Sequence, residues 1–192
     1  MLTTPGMANL REQVDVAETT ARLLSRTSLV SPPPSWTVER WLASAHPSPD
    51  TVRREWSSAA KLALIPLGRA FDAVRLADGV VHRTVGSDDS CVAADRLAQY
   101  LVDGPVIHDP GFRRYYVLVP PNTAETWGTP VAECLGEGTY LGVPRVDRTE
   151  LDEHTQASYW VLPMTRPGHL CKPADVLALA MAGGCVTDEG ES

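Results

Sequence analysis

No apolar run in this chain approaches the ~20 residues that a membrane-spanning helix requires. The longest, from Val176 to Val186, is interrupted by Gly183-Gly184. The chain start lacks the basic residues and apolar stretch of a secretory signal, so a cytoplasmic protein is expected. Lysine is scarce: Lys61 and Lys172 stand beside 15 arginines, a bias that, with 16 prolines, fits a GC-rich bacterial genome. The four cysteines, at 91, 134, 171 and 185, form no Cys-x-x-Cys pair and read as small apolar residues, not as a disulfide frame or zinc site. His169 and Cys171 would alternate faces of a strand and make a poor metal pair. Phosphate loops, Gly-x-Ser-x-Gly elbows, His-Glu-x-x-His and dinucleotide fingerprints are all missing.

The 192 residues carry a net charge of −7, which disfavours nonspecific binding to nucleic acid. Leu10, Val14, Ala17, Ala21 and Leu24 are spaced as an a/d seam and predict an amphipathic helix near residues 7–25. That helix either docks on its own domain or recruits a protein partner or second copy. Ser31-Pro32-Pro33-Pro34-Ser35 reads as a stiff linker, followed by short helices over 37–45 and from Asp50 or Thr51. Trp36, Trp41 and Trp56 could stack on bases, but at helical spacing they are expected in the core. The Arg53-Arg54 pair is the fallback surface for a polyanion.

From Leu62 the pattern changes. Strands are predicted over 62–66, 71–76, 106–108, 115–119, 139–143 and 159–162, with a helix capped by Ser87 or Asp88 and a closing helix from Pro173. Residues 127–135 are ambiguous. Intermixed helices and hairpin-length connections predict an α+β domain with a mainly antiparallel sheet. The expected organisation is a helical extension with a Pro-rich linker over 1–60, the α+β domain over 61–184, and an acidic tail over 185–192.

Three segments of the α+β part carry a resemblance. Gly111-Phe112-Arg113-Arg114-Tyr115-Tyr116-Val117-Leu118-Val119-Pro120 resembles the strand of bacterial primase–polymerase domains that usually reads Gly-Gly-x-His-x-Tyr-Phe and ends in Val-Pro. Leu135-Gly136-Glu137-Gly138-Thr139-Tyr140-Leu141-Gly142-Val143-Pro144 is similar to that family's Arg-Gly-x-Gly-Gly-Tyr stretch. Tyr159-Trp160-Val161-Leu162-Pro163 follows where the family has an aromatic strand. The match covers about half of the chain and implies the archaeo-eukaryotic primase superfamily, with an RRM-like sheet.

The resemblance implies nucleotide polymerisation on Mg²⁺ or Mn²⁺ held by clustered acids, with a strand histidine at the nucleotide. This sequence departs at those positions. Asp72 stands for the first acid, but Val74 replaces the second; Glu133 falls at the third, and Arg114 replaces the histidine. Arg114, with Arg113, can grip phosphate but cannot accept a proton. Asp72 and Glu133 are thus candidate catalytic residues in an eroded site, and Arg113 and Arg114 candidate phosphate-binding residues. The expected protein is a degenerate primase–polymerase-like module, an accessory in DNA metabolism that binds nucleotides weakly. The alternatives are an active nucleotidyltransferase recruiting carboxylates such as Asp78 or Asp109, and a protein–protein adaptor working through the N-terminal seam.

Overall fold

The computed structural model describes residues 35–184, apart from 103 and 153. The N-terminal seam from Leu10 to Leu24 and the acidic tail lie outside them. Two short helices come first. Helix α1 (Ser35–Ser44) turns Val38, Leu42 and Ala43 inward. Helix α2 (Pro49–Trp56) is capped by extended Ser48, starts on a proline whose missing N–H costs nothing there, and buries Val52 and Trp56. Strand β1 (Leu62–Pro66) and strand β2 (Asp72–Ala77) follow.

Helix α3 (Asp78–Val85) continues directly from β2 and stops on left-handed Gly86. Helix α4 (Ser90–Tyr100) is capped by Asp89, one residue beyond the expected cap, whose carboxylate accepts from the amides of Cys91 and Val92 at 3.0 Å each. Strands β3 (Val106–Asp109) and β4 (Arg114–Val119) form a hairpin. The one-turn helix α5 (Thr123–Thr126) leads to strands β5 (Glu133–Leu135), β6 (Tyr140–Pro144) and β7 (Tyr159–Leu162). Helix α6 (Pro173–Gly184) closes the described part.

The predicted α+β class is the observed one. Five antiparallel strands lie in the order β5-β2-β4-β3-β7, and β1 pairs with β6 in a separate ribbon. Taken alone, β2, β3, β4 and β5 have the order 4-1-3-2, with β4 between the parallel ends of a split βαβ unit. The second helix of such a unit is only the four-residue α5 here. Strand β4, expected in the sheet interior, is its central strand.

Alternation along the strands splits the core in two. Val74, Leu76 and Val117 pack on one face against Val81 of α3, Leu97 of α4 and Leu179 of α6. Ala73, Ile107, Leu118 and Trp160 pack on the other against Leu42, Val52, Trp56, Ile65 and Val143. The indoles of Trp56 and Trp160 donate to the neighbouring carbonyls of Val143 and Pro144 at 2.9 and 3.0 Å, tying α2 and β7 to the ribbon. Helices α1 and α2 thus contribute Val38, Leu42, Val52 and Trp56 to the same core cluster as the ribbon and this face of the sheet. Of the three nearby tryptophans expected inside, Trp56 is buried, Trp41 packs beside Phe71 and Trp36 is exposed.

Candidate functional site

The strand registers place the four residues singled out from the sequence. Asp72 opens β2 opposite Val119, and Arg114 opens β4 opposite Ala77, at the far end of the same strand pair. Five residue steps separate them, roughly 17 Å. Asp72 shares the face of Val74 and Leu76, beneath the helices, whereas Glu133 pairs across from Arg75 on the opposite face. Arg114 shares the face of Glu133, two strands away. The structure thus brings Asp72 together with neither Glu133 nor Arg114.

Each carboxylate is engaged locally. Asp72 is fully buried, and its Oδ2 accepts from the Ala124 amide at 3.0 Å, holding the start of α5. Its Oδ1 has no partner among the described residues. A Cβ on Gly136 would lie 2.7 Å from the Ala124 methyl, so protein atoms fill the surroundings. Burial first, and the Asp72 charge second, push the Cys134 thiol up to about 12. Glu133 is ion-paired with Arg75 at the sheet edge.

Neither carboxylate that an active enzyme would have to recruit is idle. Asp78 Oδ1 lies 3.2 Å from His108 Nε2 in a buried pair, and Asp109 Oδ1 accepts from the Phe112 amide. Among the described residues no three His, Cys, Asp or Glu side chains converge as metal ligands. Mg²⁺ demands several oxygens in near-octahedral array, so this donor set does not fit the cation that the resemblance implies.

Gly111 and Phe112, which precede the two arginines, line a cleft that Arg113 and Arg114 themselves do not line. The β3–β4 turn carries Gly111, exposed Phe112 and the two arginines, and Phe112 overhangs a cavity of about 510 Å³. The other walls are the α2–β1 connection, with Lys61 and Leu62, and the segment before β7, with Arg148, Asp152 and Gln156. Arg148 joins these walls by donating to the Ala60 carbonyl at 3.0 Å and accepting from the Trp160 amide through its own carbonyl. Asp109, which lines the cleft, is the cross-strand neighbour of Arg114.

Four non-glycine residues among those described have positive φ; Lys61 (48°) and Gln156 (49°) line this cleft, and Arg113 (55°) follows Phe112. Such conformations cost about 1 kcal/mol or more each and concentrate at functional sites. Local bonds hold them: Arg113 N–H donates to Pro110, and the Arg113 carbonyl accepts from the Asp78 amide, both at 3.1 Å. The Arg113 and Arg114 side chains have neither an ion pair nor a hydrogen bond among the described residues. Sequence reasoning found the arginines but gave no role to Phe112, Lys61 or Arg148. An aromatic residue between a glycine and two arginines in a turn was the available signal.

No helix of the described residues is long and apolar enough to cross a membrane. No family model matches this chain, nor does any curated protein or solved structure.

Proposed function

We propose that this chain is a cytoplasmic, non-catalytic binding module on a primase–polymerase-like scaffold, an accessory in DNA metabolism that holds a nucleotide weakly at the β3–β4 turn. The observation carrying this reading is the separation of Asp72 and Glu133 onto opposite sheet faces, each bound to its own partner. In-line phosphoryl transfer needs clustered acids around the metal, and these two cannot share one. The strand order 4-1-3-2 supports the scaffold part.

The cleft supplies an exposed ring at Phe112 for stacking and Lys61 and Arg148 in its walls for phosphate, with Arg114 beside it as the cross-strand neighbour of Asp109. Asp109 and Asp152 oppose the same anion, so affinity is set at tens of micromolar or weaker, roughly 6 kcal/mol. The overall charge of −7 makes long nucleic acids poor ligands at physiological salt.

Calorimetry with ATP and Mg²⁺ tests this reading beside primer extension with Mg²⁺ or Mn²⁺. Weak heat that Arg114→Ala and Phe112→Ala both abolish, without any extension, is expected. Template-dependent incorporation lost in Asp72→Ala would replace the reading with an active nucleotidyltransferase. Tight single-stranded DNA binding unaffected by Arg114→Ala would move the working surface elsewhere, with Arg53-Arg54 next to be examined.

A further inference from the structure

Beneath the helix face lies a buried polar chain that the cleft does not use. Asp78, the first residue of α3, and His108 of β3 are each 8% exposed, with Tyr115 of β4 at 2% and Tyr159 of β7 at 4%. His108 Nε2 is 3.2 Å from Asp78 Oδ1, and His108 Nδ1 is 3.2 Å from the Tyr159 hydroxyl. The His108 ring stacks on Tyr115, centroids 4.1 Å apart, and the Tyr115 hydroxyl lies 3.2 Å from His82 Nε2 on α3.

These contacts fix one neutral tautomer. A carboxylate only accepts, so the His108 proton sits on Nε2 and is donated to Asp78; Nδ1 is left as acceptor for the Tyr159 O–H. A proton added at Nδ1 would meet that O–H head-on. Tyr159 would have to turn its own hydrogen away, into a region where it has no second acceptor among the described residues.

We propose that Asp78, His108 and Tyr159 form a proton-released clasp that pins the edge strand β7 to helix α3, and that one proton on His108 breaks its Tyr159 end while the Asp78 end stays closed. Strand β7 is the sheet's last strand and its register with β3 slips between Val106 and Ile107, while the Trp160 amide and indole hold it to Arg148 and Pro144, so loosening starts at its Tyr159 end.

The charged and titratable groups around His108 act in both directions. Burial lowers its pKa below the usual 6.5, Asp78 opposes this, His82 lowers it further and Asp109 raises it. On the far side Tyr159 is itself raised by burial, with Cys91 of α4 and Asp78 adding to the shift. Burial prevails for His108. Its folded pKa therefore lies below the unfolded value, so the clasp's stabilisation is complete above about 6.5 and is lost as pH falls through the folded pKa.

The test uses the full chain. Histidine ring ¹⁵N–¹³C correlation and amide hydrogen exchange, expressed as protection factors, are followed from pH 7.5 to 5. The expected result is a neutral His108 with its proton on Nε2 at pH 7, titrating below 6.5. Protection of the Tyr159–Leu162 amides should fall about tenfold per pH unit across the interval between folded and unfolded pKa. Tyr159→Phe, which removes the opposing O–H, should move both transitions to higher pH. A proton on Nδ1 at pH 7, a His108 pKa at or above 6.5, or protection indifferent to the titration overturns the proposal. If Tyr159→Phe does not fold, the wild-type measurements alone decide.

Discussion

Replacing Asp72 with alanine should weaken the fold and leave nucleotide binding intact. The carboxylate's one partner is the Ala124 amide at 3.0 Å, a charge-assisted bond of the kind worth about 1.5–3 kcal/mol. Two corrections reduce the net loss. The substitution also deletes Oδ1, a buried oxygen without a partner whose removal is favourable. In addition Ala124 is only half-buried, so its freed N–H recovers part of its hydration. A loss of about 1–2 kcal/mol remains, roughly 2–8 °C in Tm for a unit of this size.

Arg114 lies roughly 17 Å away along the β2–β4 pair, so the ATP affinity of Asp72→Ala should stay within about twofold of wild type. Circular-dichroism melts and calorimetry on the same preparation read both quantities. An Asp72→Ala protein that melts like wild type but no longer binds nucleotide would refute the reasoning, because it would make Asp72 a ligand-site residue instead of an anchor for α5.

Gly183→Ala should be far more damaging than a helix-interior alanine normally is, by about 3 kcal/mol in denaturant unfolding, since the new methyl would lie 2.0 Å from the Val80 carbonyl oxygen. Among the three described cysteines, iodoacetamide at pH 8 should label exposed Cys91 first by peptide-resolved mass spectrometry. Cys134 and Cys171, both pushed up to about 12 chiefly by burial, should follow only on unfolding.

Elements with one dominant local signal were legible in the sequence. Strand β4 is a run of β-branched and aromatic residues between Gly111 and Pro120, and it is the centre of the sheet. Helix α3 was not read at all. Ala77 in its cap position gives no side-chain cap, Gly79 weakens its first turn, and Val80, Val81 and Val85 look strand-like, so tertiary packing against α6 forms it. The inward direction of Asp72 was within reach, because the alternation that buries Val74 and Leu76 puts residue 72 on the same face. Glu133 offered no such pattern in a three-residue strand. The clasp was hidden for another reason: Asp78, His108, Tyr115 and Tyr159 come from four elements, and only the sheet order makes them neighbours.

The glycines behind the primase–polymerase resemblance have local physical causes that do not involve chemistry. Gly138 has a φ of 87°, which side chains resist, and any Cβ on Gly136 would strike Ala124. Gly142 faces Leu64 across the ribbon, where a Cβ would lie 3.2 Å from a Leu62 methyl. These are conditions for closing the β5–β6 connection and packing the ribbon, and any sequence with this backbone must meet them. The positions that a polymerase needs for metal and nucleotide impose no such backbone demand, so Val74 and Arg114 fit their strands without strain. The glycine spacing is therefore what this backbone demands, and by itself it carries no information about chemistry.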